Sequence, residues 1–174
     1  MIHFYRKNHR IGLDIDEVLA DFLGGFSDHY DIDYRSVKHF AFSYDTLRKL
    51  NELPADFWSK LKPKIDGTTL PFLPTCYIST RNFDVGITEE WLERLGFPCQ
   101  PVIHVGGDMT KVEACKKLNL DIFVDDHIKN FQELHQNGIN ALLMDCVHNQ
   151  QYQVNPYRIH SLYELPAKIT ELNW

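Results

Sequence analysis

Five short apolar runs punctuate the chain, at residues 11–15, 76–79, 101–105, 121–125 and 141–144, each of strand length and most closing on polar residues. Runs this continuous bury a strand on both faces, as a parallel sheet does. Between them, residues 87–95, 109–118 and 128–136 carry apolar side chains three or four apart; Gly96 stops the first and Gly138 the last. Strand and helix therefore alternate from about residue 76 onward. The pattern predicts an α/β fold, a doubly wound (Rossmann-like) parallel sheet. Near the C-terminus, Ser161-Leu162-Tyr163-Glu164 has capping-box spacing and predicts a last helix running to Leu172, with Pro166 in its first turn.

The stretch from about Gly24 to Leu70 breaks the alternation. It holds no convincing buried strand and is rich in aromatics: Phe26, Tyr30, Tyr34, Phe40, Phe42, Tyr44, Phe57 and Trp58. It reads as a helical insertion after the first strand, its aromatics forming a small core, with a substrate-facing subset as the alternative. A length of 174 residues fits one compact domain carrying such an insertion.

With 18 basic against 24 acidic residues and a net charge of −6, polymeric nucleic acid is not the expected partner, because phosphate-backbone affinity is supplied by clustered Lys and Arg. A small anionic substrate stays open. No apolar run approaches the roughly 20 residues of a membrane helix. Cys76, Cys99, Cys115 and Cys146 form no CxxC pair, and residues 1–7 lack the apolar core of a signal peptide. A reduced, cytoplasmic protein is expected.

The polar residues closing the strands come in one order: Asp14 and Asp16, Ser79 with Thr80, then Lys111, then Asp125 and Asp126. The carboxyl ends of the strands in an open α/β sheet line a common crevice, where residues remote in sequence meet. Carboxylates without His or Cys favour a hard ion such as Mg²⁺. A hydroxyl and Lys111 supply complementary donors for a phosphoryl group. Taken singly, Asp14, Asp16, Ser79 or Thr80 could be turn or helix-cap residues. Adjacent like charges at Asp125-Asp126, after the buried run 122–124, ask for a cation. Asp21 reads as a helix-start contact, and His104 and His127 as structural histidines.

Residues 11–19, Ile-Gly-Leu-Asp-Ile-Asp-Glu-Val-Leu, resemble the first motif of the haloacid dehalogenase superfamily; Tyr77-Ile78-Ser79 resembles its second, Lys111 its third and Phe123-Val124-Asp125-Asp126 its fourth. The resemblance implies a catalytic core at 1–21 and 71–174 and a small helical cap at 22–70, inserted after the first strand. Residues 19–26, together with 146–150 and 158–161, are further similar to the 5'(3')-deoxyribonucleotidases, and Phe22 then falls on a residue lining the nucleobase pocket. Glu17 stands where the animal enzymes have glycine, Ser79 where they have threonine and Arg81 where they have proline.

This resemblance implies an aspartyl-phosphate mechanism with Asp14 as nucleophile and Asp16 as general acid and base. Ser79, Thr80 and Lys111 would bind phosphate. Mg²⁺ would be held by Asp14, the Asp16 backbone carbonyl and Asp125, with Asp126 supporting. The expected partner is a small phosphorylated substrate, a nucleoside monophosphate first and a sugar phosphate second; a silent phosphate-binding module is the non-enzymatic alternative. A homodimer is consistent with the resemblance. His148 and Asn149 match a family feature whose role does not follow from residue type.

Overall fold

The computed structural model describes residues 9–38 and 43–174, so Phe40 and Phe42 of the expected aromatic core lie outside the described residues. The apolar runs become β1 (Ile11–Leu13), β2 (Cys76–Ser79), β3 (Val102–His104), β4 (Ile122–Asp125) and β5 (Asn140–Met144). A two-residue strand, β6 (Arg158–Ile159), closes the sheet. All the strands are parallel, in the order β3-β2-β1-β4-β5-β6. The central strands are buried on both faces, with Leu13, Tyr77, Ile78, Phe123 and Val124 at 0% exposure, which is why their sequences run apolar without alternation.

The connecting helices start where side chains satisfy their first amides. In α4 (Val85–Arg94) Asp84 accepts from Gly86 N at 2.9 Å, so the helix opens two residues before its apolar periodicity. In α5 (Lys111–Lys117) a full capping box between Thr110 and Glu113 sets the start at Lys111. The third connecting helix, α6 (Ile128–Gln136), matches its predicted span. The last helix, α7 (Leu165–Glu171), holds Pro166 in its first turn. The box expected at Ser161–Glu164 does not close. Ser161 accepts from Tyr163 N in a 3-10 turn over Leu162–Glu164, and Glu164 accepts from His160 N instead.

Between β1 and β2 the chain forms α1 (Phe22–Tyr30), α2 (Tyr44–Asn51) and α3 (Ala55–Lys60), with no strand among the described residues there. Asp21 caps α1 by accepting from Gly24 N at 3.0 Å, the helix-start role expected of it. Phe22, Leu23, Phe26, Phe57, Trp58 and Leu61 of this segment share one hydrophobic cluster with β1. Full burial of each such side chain stabilises by about 1.5–3 kcal/mol. Backbone bonds from Asp21 N to Lys62 O (2.8 Å) and from Lys64 N to Leu19 O (2.7 Å) pin the end of the insertion beside its start, and Trp91 of α4 donates to Leu61 O at 2.9 Å. The inserted helices thus stand over the carboxyl end of β1. Among the described residues no helix is long and apolar enough to cross a membrane, and the four cysteines are free.

Candidate active site

The strand order changes direction between β1 and β4, and the crevice at that switch point is where open α/β sheets bind ligands. Asp14 N donates to Val124 O at 2.9 Å, so the β1–β4 ladder carries Asp14 to the same level as Asp125. The chain then turns sharply: Leu19 N and Ala20 N both donate to Ile15 O. Glu17 takes φ +60°, a left-handed conformation that a non-glycine residue adopts at some cost. Here the Glu17 carboxylate is used, accepting from Leu23 N at 2.7 Å and from Lys64 Nζ at 2.9 Å, which ties the turn to both ends of the inserted segment.

A cleft of about 650 Å³ opens above this turn and is lined by Asp14, Asp16, Ser79, Thr80, Lys111 and Asp126. Six of the expected site residues therefore meet, from the ends of β1, β2 and β4 and, for Lys111, from the start of α5 and not from a strand end as expected. Asp125 lies beneath them at 0% exposure. Lys111 Nζ sits 2.8 Å from Asp14 Oδ2 and 2.7 Å from Asp125 Oδ2. Asp14 Oδ1 accepts from Ile15 N at 2.8 Å, and Asp125 accepts from His127 N and from Asn130 Nδ2. Phe22 is nearly buried on the wall, with its ring stacked on Trp58 at 5.7 Å. Thr80 is exposed at the rim.

Three carboxylates against one ammonium make this a costly place to keep charge. Burial pushes the Asp14 carboxyl well above the usual carboxylate range, against the pull of Lys111 and helped by Asp125 and Asp126. Asp126 rises for the same first reason, with Asp125 next. Burial alone would lower the Lys111 ammonium, but Asp125 and Asp14 outweigh it and hold it above its ordinary value. Carboxylate oxygens of Asp14, Asp125 and Asp126 lie within 4.8 Å of one another. A hard, all-oxygen donor set with surplus negative charge fits Mg²⁺. The Asp16 carboxylate stands apart from this group and pairs with Arg81 at 2.7 Å.

Several partners were not identified from the sequence. Arg81 is buried with Nε and Nη2 on the two oxygens of Asp16; lying two residues past β2, it gave no sequence signal of that contact. Asn130, in the first turn of α6, holds Asp125. His148 and Asn149 acquire a physical role. Asn149 Nδ2 donates to the backbone carbonyls of Asp126 (2.7 Å) and Met144 (2.8 Å), while Arg158 Nη1 donates to its side-chain oxygen at 2.6 Å. His148 Nε2 meets Asp126 Oδ2 at 2.9 Å, with the imidazole held below its ordinary value by burial. Both residues orient Asp126. His104 is structural as expected, its ring nitrogens on Thr88 Oγ1 and Phe83 O, whereas His127 lines the cleft at the start of α6.

The fold is one that solved haloacid dehalogenase-type structures share. Among solved structures, the chain resembles a HAD hydrolase, family IA, variant 3, from Entamoeba histolytica HM-1:IMSS, at TM-score 0.59 and 12% identity over 95% of this chain and all of that one. It also resembles a 2-haloacid dehalogenase from Pseudomonas syringae pv. Tomato DC3000, at TM-score 0.50 and 15% identity over 93% of this chain and 98% of that one. A further dehalogenase, solved with an intermediate complex, gives TM-score 0.53 and 14% identity over 91% of this chain and 96% of that one. No protein-family profile and no curated protein sequence matches the chain. At these identities the likeness shows the fold alone.

Proposed function

We propose that this protein is a Mg²⁺-dependent phosphatase of small phosphomonoesters that works through an aspartyl-phosphate on Asp14. The observation that carries this reading is the pairing of Asp14 with Lys111 at 2.8 Å beside a second, cleft-facing carboxylate on Asp16. An Asp14 oxygen attacks phosphorus, and the ester P–O bond breaks as Asp16 gives its proton to the departing alkoxide. Water then attacks the same phosphorus, Asp16 takes the water's proton, and the aspartyl P–O bond breaks to restore Asp14 and release phosphate. Lys111 and Ser79 bind the phosphoryl oxygens through both steps, with Thr80 at the rim. Asp14, Asp125 and Asp126 would hold Mg²⁺, with the Asp16 carbonyl completing the set, and the bound ion supplies charge neutralisation between the carboxylates and the phosphate.

Dehalogenase chemistry is the competing reading, since two of the similar structures bear that name. A halide leaves without a proton, so Asp16 would have no task there, and the three clustered carboxylates would lack a reason for their burial. For the substrate we propose a nucleoside monophosphate, with the nucleoside as leaving group, supported by the aromatic wall in which Trp58 stacks on Phe22 and lies 4.6 Å from Phe83. A sugar phosphate is the next choice. Release of phosphate from p-nitrophenyl phosphate with added Mg²⁺ tests the reaction. Activity in the wild type and its loss in Asp14→Asn are expected; equal activity in Asp14→Asn refutes the nucleophile. Ranking mononucleotides against sugar phosphates tests the substrate class.

A further inference from the structure

The site contains one cation that the reaction as written does not use. We propose that Arg81 is a positioning residue that fixes the Asp16 carboxylate for proton transfer, an inference that rests on the phosphatase reading above. Each of its three guanidinium nitrogens is engaged. Nε and Nη2 reach Asp16 Oδ2 and Oδ1 at 3.0 and 2.7 Å, and Nη1 reaches Thr88 Oγ1 at 3.1 Å. Its plane lies over Trp58 at 5.1 Å and Phe83 at 5.7 Å. The Arg81 side chain is 1% exposed and that of Asp16 25%. One member of the pair is locked in protein and the other opens to the cleft. A guanidinium in a fork geometry fixes the plane of the carboxylate as well as its place, which an ammonium cannot do.

The bonding also distinguishes the two oxygens of Asp16. Oδ2 accepts from Arg81 Nε and from Ser79 Oγ, the latter at 3.3 Å, whereas Oδ1 accepts from Arg81 Nη2. Oδ1 therefore keeps a lone pair for the proton that passes to the leaving oxygen and returns from water. Because Trp58 belongs to α3 and Arg81 follows β2, the hold on Asp16 is shared between the inserted helices and the sheet.

The test compares kcat/KM for an alkyl phosphate, whose leaving group needs a proton, with that for p-nitrophenyl phosphate, whose leaving group departs without one. Arg81→Lys keeps the charge and loses the fork. The expected result is a drop of about 10²-fold for the alkyl substrate, the usual effect of misplacing a reacting group by about 1 Å, with p-nitrophenyl phosphate nearly unchanged. In an Asp16→Asn background the same substitution is expected to add no further loss. Thr88→Val, which on Arg81 frees Nη1 alone and also releases His104 Nε2, gives a smaller split in the same direction and serves if circular dichroism shows that Arg81→Lys does not fold. Equal losses on both substrates, or a loss that persists with Asp16→Asn, overturn the role of Arg81 alone. Absence of any phosphomonoester turnover by the wild type overturns the phosphatase reading and this role with it.

Discussion

Replacing Lys111 with methionine probes the electrostatics of the cleft without any assumption about its substrate. The side chain is 7% exposed and bridges two buried carboxylates at 2.8 and 2.7 Å. Methionine retains most of the apolar stem and deletes the charge, leaving Asp14, Asp125 and Asp126 together with no ammonium. Removing one partner of a buried pair costs about 3–5 kcal/mol, a large share of a net stability of about 5–15 kcal/mol. For a chain of this length the melting temperature should fall by about 6–20 °C. The deficit should also depend on pH in a definite direction. Lys111 lowers the already raised Asp14 carboxyl, so its loss raises that group further above its unfolded value. A carboxyl raised in the folded state stabilises relatively toward acid and destabilises as pH rises, so the deficit should be larger at pH 8 than at pH 5. Urea unfolding followed by circular dichroism in the presence of a chelator measures both effects. Lys60→Met, which removes an exposed pair with Asp56, is the control and should leave the unfolding midpoint essentially unchanged at both pH values. A Lys111→Met protein within about 1 kcal/mol of wild type at pH 8 would refute the picture of a desolvated, charge-compensated cluster.

Two further predictions concern the frame around the site. At Gly67 an added Cβ would come within 2.5 Å of Phe97 N and 2.8 Å of Gly96 C, backbone atoms with little freedom to move; Gly67→Ala should destabilise by about 1–3 kcal/mol in the same unfolding assay, and an unchanged midpoint would contradict the close approach. His104 is held below its ordinary value, first by burial, with Arg81 lowering it and Asp16 and Glu89 raising it. The unfolded chain therefore binds the extra proton, and this contribution is present above about pH 6.5 and lost as pH falls. Between pH 5 and 7 the stability of the wild type should rise more steeply than that of His104→Gln, by at most about 1.4 kcal/mol per pH unit. Parallel curves would remove His104 from the account.

The parts legible in the sequence were those whose signal is local. A strand buried on both faces must be apolar throughout, so β1, β2, β4 and β5 were visible as runs, and α6 was bounded by its own periodicity. β6 was not, because two residues beside Pro156 carry no pattern and its pairing with β5 is purely tertiary. Asp14, Ser79 and Asp125 stood out because each interrupts or ends an apolar element, and Lys111 because it stands at a helix start. Arg81, Asn130, His148 and Arg158 sit in polar surroundings, where a residue gripping a carboxylate is indistinguishable from one facing solvent. The failed capping box at Ser161–Glu164 has the same origin: the spacing was right, but Glu164 found the amide of His160 within reach.

Those less visible residues explain how the fold tolerates its own site. Like charges at Asp125 and Asp126 end a strand where water cannot screen them, so each needs donors that stay in place. Asp125 draws them locally, from Lys111, Asn130 and the amide of His127. Asp126 draws them from beyond β5, through His148 on its carboxylate and Asn149 on its carbonyl, and Asn149 is itself held by Arg158 of β6. The short edge strand adds little core, yet it anchors the arginine that fixes the asparagine behind the acidic pair. The 146–160 region therefore belongs to the site's architecture even where its side chains stay out of the cleft.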